Sequence, residues 1–172
     1  PETLDAYRPD NAPCAVDIQE SKLTLITKAD PDTLLRKRLT VSAQGDRFVV
    51  ESAALNTSDL LYQGAIWCLT CVMPKGVIAF PWGSGGKWDV KRIQWWNSWA
   101  GHSSDVRSKQ YQPSPDLFLI RPTGEEGKVG THSPEGWIAY CREDATFIKS
   151  FQPDAWAIYP DGGCSVEVYT CA

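Results

Sequence analysis

The run Leu34-Leu35-Arg36-Lys37-Arg38-Leu39-Thr40-Val41-Ser42-Ala43, the loop Gln44-Gly45-Asp46 and the run Arg47-Phe48-Val49-Val50-Glu51-Ser52-Ala53-Ala54-Leu55 read together as one β-hairpin. Two segments rich in strand-forming residues flank a short loop containing glycine, which is how a hairpin shows itself in a sequence. Upstream, Lys22-Leu23-Thr24-Leu25-Ile26-Thr27 has the composition of a further strand, followed by the turn Asp30-Pro31-Asp32. Downstream, Asn56-Thr57-Ser58-Asp59 breaks the chain, and residues 64–73 form its most apolar run. Both faces of that run carry bulky or thiol side chains, so it is expected as a central strand covered on both sides. Pro74-Lys75-Gly76 then turns it into a strand over residues 77–80.

Further strands are expected over residues 92–99, 116–120, 136–141, 146–151 and 164–170, with a polar surface excursion over 101–115. Nowhere does the apolar spacing settle into threes and fours. With 13 Gly and 12 Pro among 172 residues, the chain is punctuated too often for long helices. The fold class is therefore all-β, an antiparallel β-sandwich. No repeat or linker interrupts it, so residues 1–172 read as a single domain. The sequence starts without an initiator Met and stops directly after a strand-like run, and it reads as incomplete at both ends, with a second chain or segment completing the sheet.

Charge narrows the partners. Lys and Arg number 17 against 21 Asp and Glu, a formal net charge of −4. That leaves no basic stripe for a phosphate backbone, so nucleic acid is excluded as an expected partner. The apolar run at 64–73 is about half of what a bilayer-spanning helix needs, so no membrane insertion is expected. Six Cys, with no metal-knuckle doublet, are compatible with disulfides in an exported protein, and Asn56-Thr57-Ser58 reads as a glycosylation acceptor. Both suggest an extracytoplasmic (secreted or periplasmic) location.

Eight Trp against two His and one Met is an unusual balance. Indoles either fill the space between sheets or form platforms on which sugar rings stack by their apolar faces. Trp95 and Trp96, adjacent in a strand, must point to opposite faces, so at most one of them can meet a ligand. The loop Gly83-Ser84-Gly85-Gly86-Lys87 lacks P-loop spacing, since Trp88 stands where a hydroxyl belongs, and it reads as a β-connection. Cys68-Leu69-Thr70-Cys71 has dithiol spacing, but in a strand its thiols point to opposite faces without a helix dipole. His102 and His132 both fall in loops; they are the two imidazoles able to move protons near neutrality. His132 with Glu135 offers two metal ligands in one turn, short of a site. No cofactor is called for. Near the C-terminus, Glu167 shares a strand face with Ser165 and Tyr169, opposite Val166 and Val168, and Gly162-Gly163 would let a backbone or ligand approach. Glu167 there is either solvated or placed in a polar cleft.

Tyr159-Pro160-Asp161-Gly162-Gly163-Cys164-x-x-Glu167-x-Tyr169-Thr170 resembles a group of uncharacterised bacterial proteins similar to galactose mutarotase, the aldose 1-epimerases. The likeness extends through Gly130, Gly136-Trp137-Ile138-Ala139-Tyr140, Phe147-x-Lys149-x-Phe151, Ala65-x-Trp67-x-Leu69-Thr70 with Pro74-x-Gly76, and Tyr7-x-Pro9-Asp10-Asn11-x-Pro13 after Pro1-Glu2. It implies part of a large antiparallel supersandwich that binds a sugar on a concave face. In those enzymes a carboxylate takes the anomeric hydroxyl proton while a histidine protonates the ring oxygen. The ring opens, the C1–C2 bond rotates, and closure reverses the transfers. Carried over, Glu167 is the general base. The family's acid lies on the central strand after the Asn-Thr turn, where this chain has Ile66-Trp67-Cys68, so the acid role passes to His102 or His132. Trp67, Trp95, Trp96, Trp99 and Asp161 are the expected sugar contacts. The same set could hold a glycan without moving a proton, or the tryptophans could simply be core of a structural β-domain.

Overall fold

The computed structural model describes residues 11–83, 88, 90–99 and 101–171. Nearly all its regular structure is antiparallel strand, as the punctuation of the sequence requires. The chain divides into two compact units, Pro1–Leu69 and Thr70–Ala172.

The first unit holds a four-stranded meander: β1 (Cys14–Gln19), β2 (Lys22–Thr27), β3 (Leu35–Gln44) and β4 (Arg47–Asn56). The expected hairpin is β3–β4, paired from Leu35↔Asn56 to Gln44↔Arg47, and the strand over 22–27 is β2. The turn before β3 is built on Asp30, a buried residue whose Oδ1 accepts from the Asp32 amide at 3.1 Å, the Thr33 amide at 2.9 Å and the Thr33 hydroxyl at 3.1 Å. Because side chains alternate along each strand, the register stacks apolar residues in rows across one face. One row runs Val16, Leu25, Leu39, Ser52, and the next Ile18, Leu23, Val41, Val50. The other face carries the charges, including Asp17, Lys22, Arg38 and Glu51.

The second unit contains two sheets. One has the order β11-β10-β5-β8-β7, from β5 (Val77–Pro81), β7 (Tyr111–Pro113), β8 (Leu117–Ile120), β10 (Trp137–Cys141) and β11 (Thr146–Ser150). The other has the order β12-β9-β6, from β6 (Gln94–Trp95), β9 (Gly127–Thr131) and β12 (Val166–Thr170). Phe80, Phe118, Ile120, Val129, Val166 and Val168 from both sheets meet in one buried cluster, with Trp82 and Trp95 packed against it, giving a sandwich-like core. Trp82 meets Phe118 edge-on at 5.2 Å and donates its indole N–H to the Ser114 carbonyl at 3.1 Å.

Several expectations are corrected. Residues 64–73 form no strand, and Ile66, Leu69 and Met73 are more than half exposed. Apolarity set a demand for burial, but the central position is taken by β5, whose two edges are already paired with β8 and β10. Cys68 and Cys71 consequently lie in an irregular, exposed segment rather than on opposite faces of a strand. The strand expected over 92–99 shrinks to Gln94–Trp95, because Trp99 and His102 close a tight turn through reciprocal backbone bonds of 2.9 and 2.7 Å. Strands β1, β7 and β9 were not anticipated: β7 hides in the polar excursion, and β9 carries two glycines and a lysine in five residues. All six cysteines are free thiols, so the disulfides that their even number suggested are not formed. Residues 1–10, the loop residues 84–87 and residues 89, 100 and 172 lie outside the described residues. Among the described residues, no helix is long and apolar enough to cross a membrane.

Candidate functional site

Strand β12 organises the site. Val166, Val168 and Thr170 face the interior, so Glu167 and Tyr169 emerge on the opposite side. Pairing with β9 sets Glu167 opposite Gly130 and Tyr169 opposite Lys128. That register brings Lys128 to Glu167: Nζ lies 3.0 Å from Oε2, with the two side chains only 13% and 15% exposed. The chain reaches β12 through Pro160-Asp161-Gly162-Gly163, where Asp161, Gly162 and Gly163 all take left-handed conformations (φ 55°, 76° and 88°). Glycine adopts that conformation freely and aspartate tolerates it. The turn swings the Asp161 carboxylate to 3.9 Å from the same lysine nitrogen. Lys128 Nζ also stands 4.4 Å above the Trp96 ring, and Gly130 leaves room for that ring: a Cβ there would lie 3.1 Å from Trp96 Cη2 and 2.9 Å from Cys164 Sγ.

Burial shapes the proton affinities of this group. Glu167 is pushed above its ordinary carboxyl value, first by desolvation and then by its hydrogen bond with Asp161, while Lys128 pulls the other way. The Cys164 thiol, buried beside the two carboxylates, is pushed up to about 11 by desolvation and their charge, and so stays protonated. Asp161 and Glu167 thus flank one ammonium, so that carboxylate oxygens that accept and a lysine that donates stand side by side toward vicinal hydroxyls.

A second group continues along the face. Glu126 Oε1 accepts from the Tyr169 hydroxyl at 2.6 Å and lies 2.7 Å from His102 Nδ1. Those two bonds, Tyr169's first, hold the Glu126 carboxyl below its usual range, and the same carboxylate pushes the Tyr169 phenol up to about 12. Trp99 leans against His102 with centroids 5.6 Å apart and meets Tyr169 edge-to-face at 6.0 Å.

Glu167, Asp161 and Trp96 are therefore joined through Lys128, and Trp99 and His102 are joined through Tyr169 and Glu126. Trp95 and Trp96 do diverge: Trp95 sits in the core, edge-on to Tyr111 at 4.7 Å and to Phe118 at 6.2 Å. His132 packs instead against Tyr159 at 5.6 Å. Trp67 belongs to the other unit, where it is half-exposed. Lys128 and Glu126 were missed by reading the sequence. The alternation Lys128-Val129-Gly130 was the available signal, masked by glycines that disguise the strand. Among the described residues no three His, Cys, Asp or Glu converge as a metal ion would require.

Comparison of the chain with protein-family models, with curated proteins and with solved structures finds no match in any of the three.

Proposed function

We propose that the β12-β9 face is a carbohydrate-binding site of the mutarotase-like class. The observation that carries this reading is the alternation, on one sheet face, of hydrogen-bonding groups with aromatic rings: Asp161, Glu167 and Lys128 beside Trp96, then Glu126 and His102 beside Trp99 and Tyr169. Sugars need both, since their hydroxyls seek charged partners and their C–H faces seek rings. The floor is Trp99 and Tyr169, the latter 48% exposed, rather than Trp96, whose ring face already carries the Lys128 ammonium. Three carboxylates against one lysine favour neutral sugars over acidic ones.

Anomer interconversion is the second reading. The raised proton affinity of Glu167 supports it as the base, and of the two histidines His102 is the one that contacts Tyr169, which shares a strand face with Glu167. Glycan-array screening followed by titration calorimetry tests binding: a neutral sugar saturates the wild type, and Tyr169→Ala and Glu167→Gln each weaken it at least tenfold. Absence of saturable binding to any glycan refutes the reading. Polarimetry of freshly dissolved α-sugars tests catalysis: mutarotation faster than buffer with wild type and lost in Glu167→Gln supports the base, whereas equal rates leave binding alone.

A further inference from the structure

A groove of about 630 Å³ opens in the second unit, lined by Asp105, Arg107, Ser108 and Lys109 from one loop and by Glu125 and Glu126 from the segment that leads into β9. Its size falls within the roughly 300–1,000 Å³ of small-molecule sites, but those are mostly apolar. This one is polar along its length, as a ligand rich in hydroxyls requires. Both walls are held in place. The Ser104 hydroxyl accepts from the Lys128 amide at 2.7 Å and donates to the Lys128 carbonyl at 3.1 Å, tying the loop to β9. Asp105 Oδ1 accepts from the Arg107 amide at 2.9 Å and from its Nε at 3.0 Å, while Oδ2 accepts from Nη2 at 3.0 Å. On the other wall the Glu125 carbonyl accepts from the Thr170 hydroxyl at 3.2 Å. Glu126 belongs to groove and sugar floor alike, since its Oε1 also accepts from the Tyr169 hydroxyl at 2.6 Å and lies 2.7 Å from His102 Nδ1.

We propose, on the strength of the carbohydrate reading of the β12-β9 face, that this groove is a second sugar subsite, so that the protein takes a neutral glycan of two or more units rather than a monosaccharide. One unit rests on Trp99 and Tyr169, and the next passes Glu126 into the groove. There the chemistry suits a vicinal diol. Two of the five guanidinium N–H groups of Arg107 go to Asp105, and the others, with the Lys109 ammonium, are donors for sugar oxygens. The Glu125 carboxylate accepts from sugar hydroxyls. Asp105, Glu125 and Glu126 outnumber Arg107 and Lys109, which disfavours an acidic sugar unit. Among the described residues that line the groove none is aromatic, so the second unit is held by hydrogen bonds alone. Because both walls are fixed beforehand, little ordering opposes its binding.

Titration calorimetry of the full chain with galactose, galactobiose and galactotriose, and with glucose, cellobiose and cellotriose, tests this. In the series that binds, the disaccharide should bind about tenfold more tightly than its monosaccharide. Arg107→Ala should bring that ratio close to one; its side chain is 86% exposed, so the far-UV strand signal should persist. Tyr169→Ala, in contrast, should weaken both sugars. Equal affinity for mono- and disaccharide overturns the subsite and leaves the carbohydrate reading standing, as does an Arg107→Ala protein that keeps the tenfold ratio. No binding by any of the six sugars removes the subsite and counts against the carbohydrate reading as well. Acetylation of Lys109, followed by peptide mass spectrometry, needs no variant. Saturating disaccharide should slow it at least threefold where saturating monosaccharide does not, and equal rates with the two sugars overturn the proposal.

Discussion

Replacing Lys128 by Met removes the cation that faces both Glu167 and Asp161 while keeping an unbranched stem of similar reach. The lysine nitrogen is 3.0 Å from Glu167, and both side chains are about seven-eighths covered. Breaking a buried pair from one side costs about 3–5 kcal/mol, and an exposed pair is worth about 0–1. Asp161, the more distant partner at 3.9 Å, is 44% exposed and partly screened by water. The expected loss is therefore about 2–3 kcal/mol at neutral pH, of which the contact with the Trp96 ring accounts for about 0.5–1. The loss must also depend on pH in a fixed direction. A carboxyl whose folded pKa is raised contributes its full stability below its ordinary value near 4.5 and loses it as pH rises through the folded value. Without Lys128 the pKa of Glu167 climbs further, so the variant falls behind the wild type as pH rises from 4 to neutrality. Below that window a neutral Glu167 leaves the ring contact and the more distant, water-screened Asp161 contact to lose. Urea unfolding followed by circular dichroism at pH 4, 5.5 and 7.5 measures this, and the double variant Lys128→Met with Glu167→Gln should recover most of the loss at pH 7.5. Equal losses at pH 4 and 7.5, or a loss under about 0.5 kcal/mol at neutrality, would show that the ion pair does not hold this site together.

Three further outcomes follow from other contacts. Gly130→Ala forces a methyl between Cys164, the Val166 carbonyl and Trp96, all within 3.1 Å; overpacking of this kind costs about 1–3 kcal/mol, and tryptophan emission should shift as Trp96 moves. Asp30→Ala removes the acceptor of three hydrogen bonds in a buried turn and should cost about 1–3 kcal/mol, with faster hydrogen exchange at the Asp32 and Thr33 amides. Iodoacetamide at pH 8 should label exposed Cys14, Cys68, Cys71 and Cys171 first and Cys164 last, since that thiol is buried and held protonated until about pH 11; peptide mass spectrometry gives the order, and early labelling of Cys164 would contradict its placement.

Local chemistry in the sequence settled part of this structure. The hairpin over 34–55 and the strand at 22–27 were legible because turn residues and strand-forming runs act over a few neighbours. The same holds for Glu167 and Tyr169, whose shared face follows from counting by two, and for the divergence of Trp95 and Trp96. The tertiary structure decided what no window could show. Glu167 finds Lys128 because β12 pairs with β9 about forty residues away in a particular register, and one step of slippage would turn every side chain of the strand over. Residues 64–73 lost the central place to β5 in the same way: an apolar run states that it would gain from burial, but a sheet interior has few positions, and which run occupies them depends on all the edges at once.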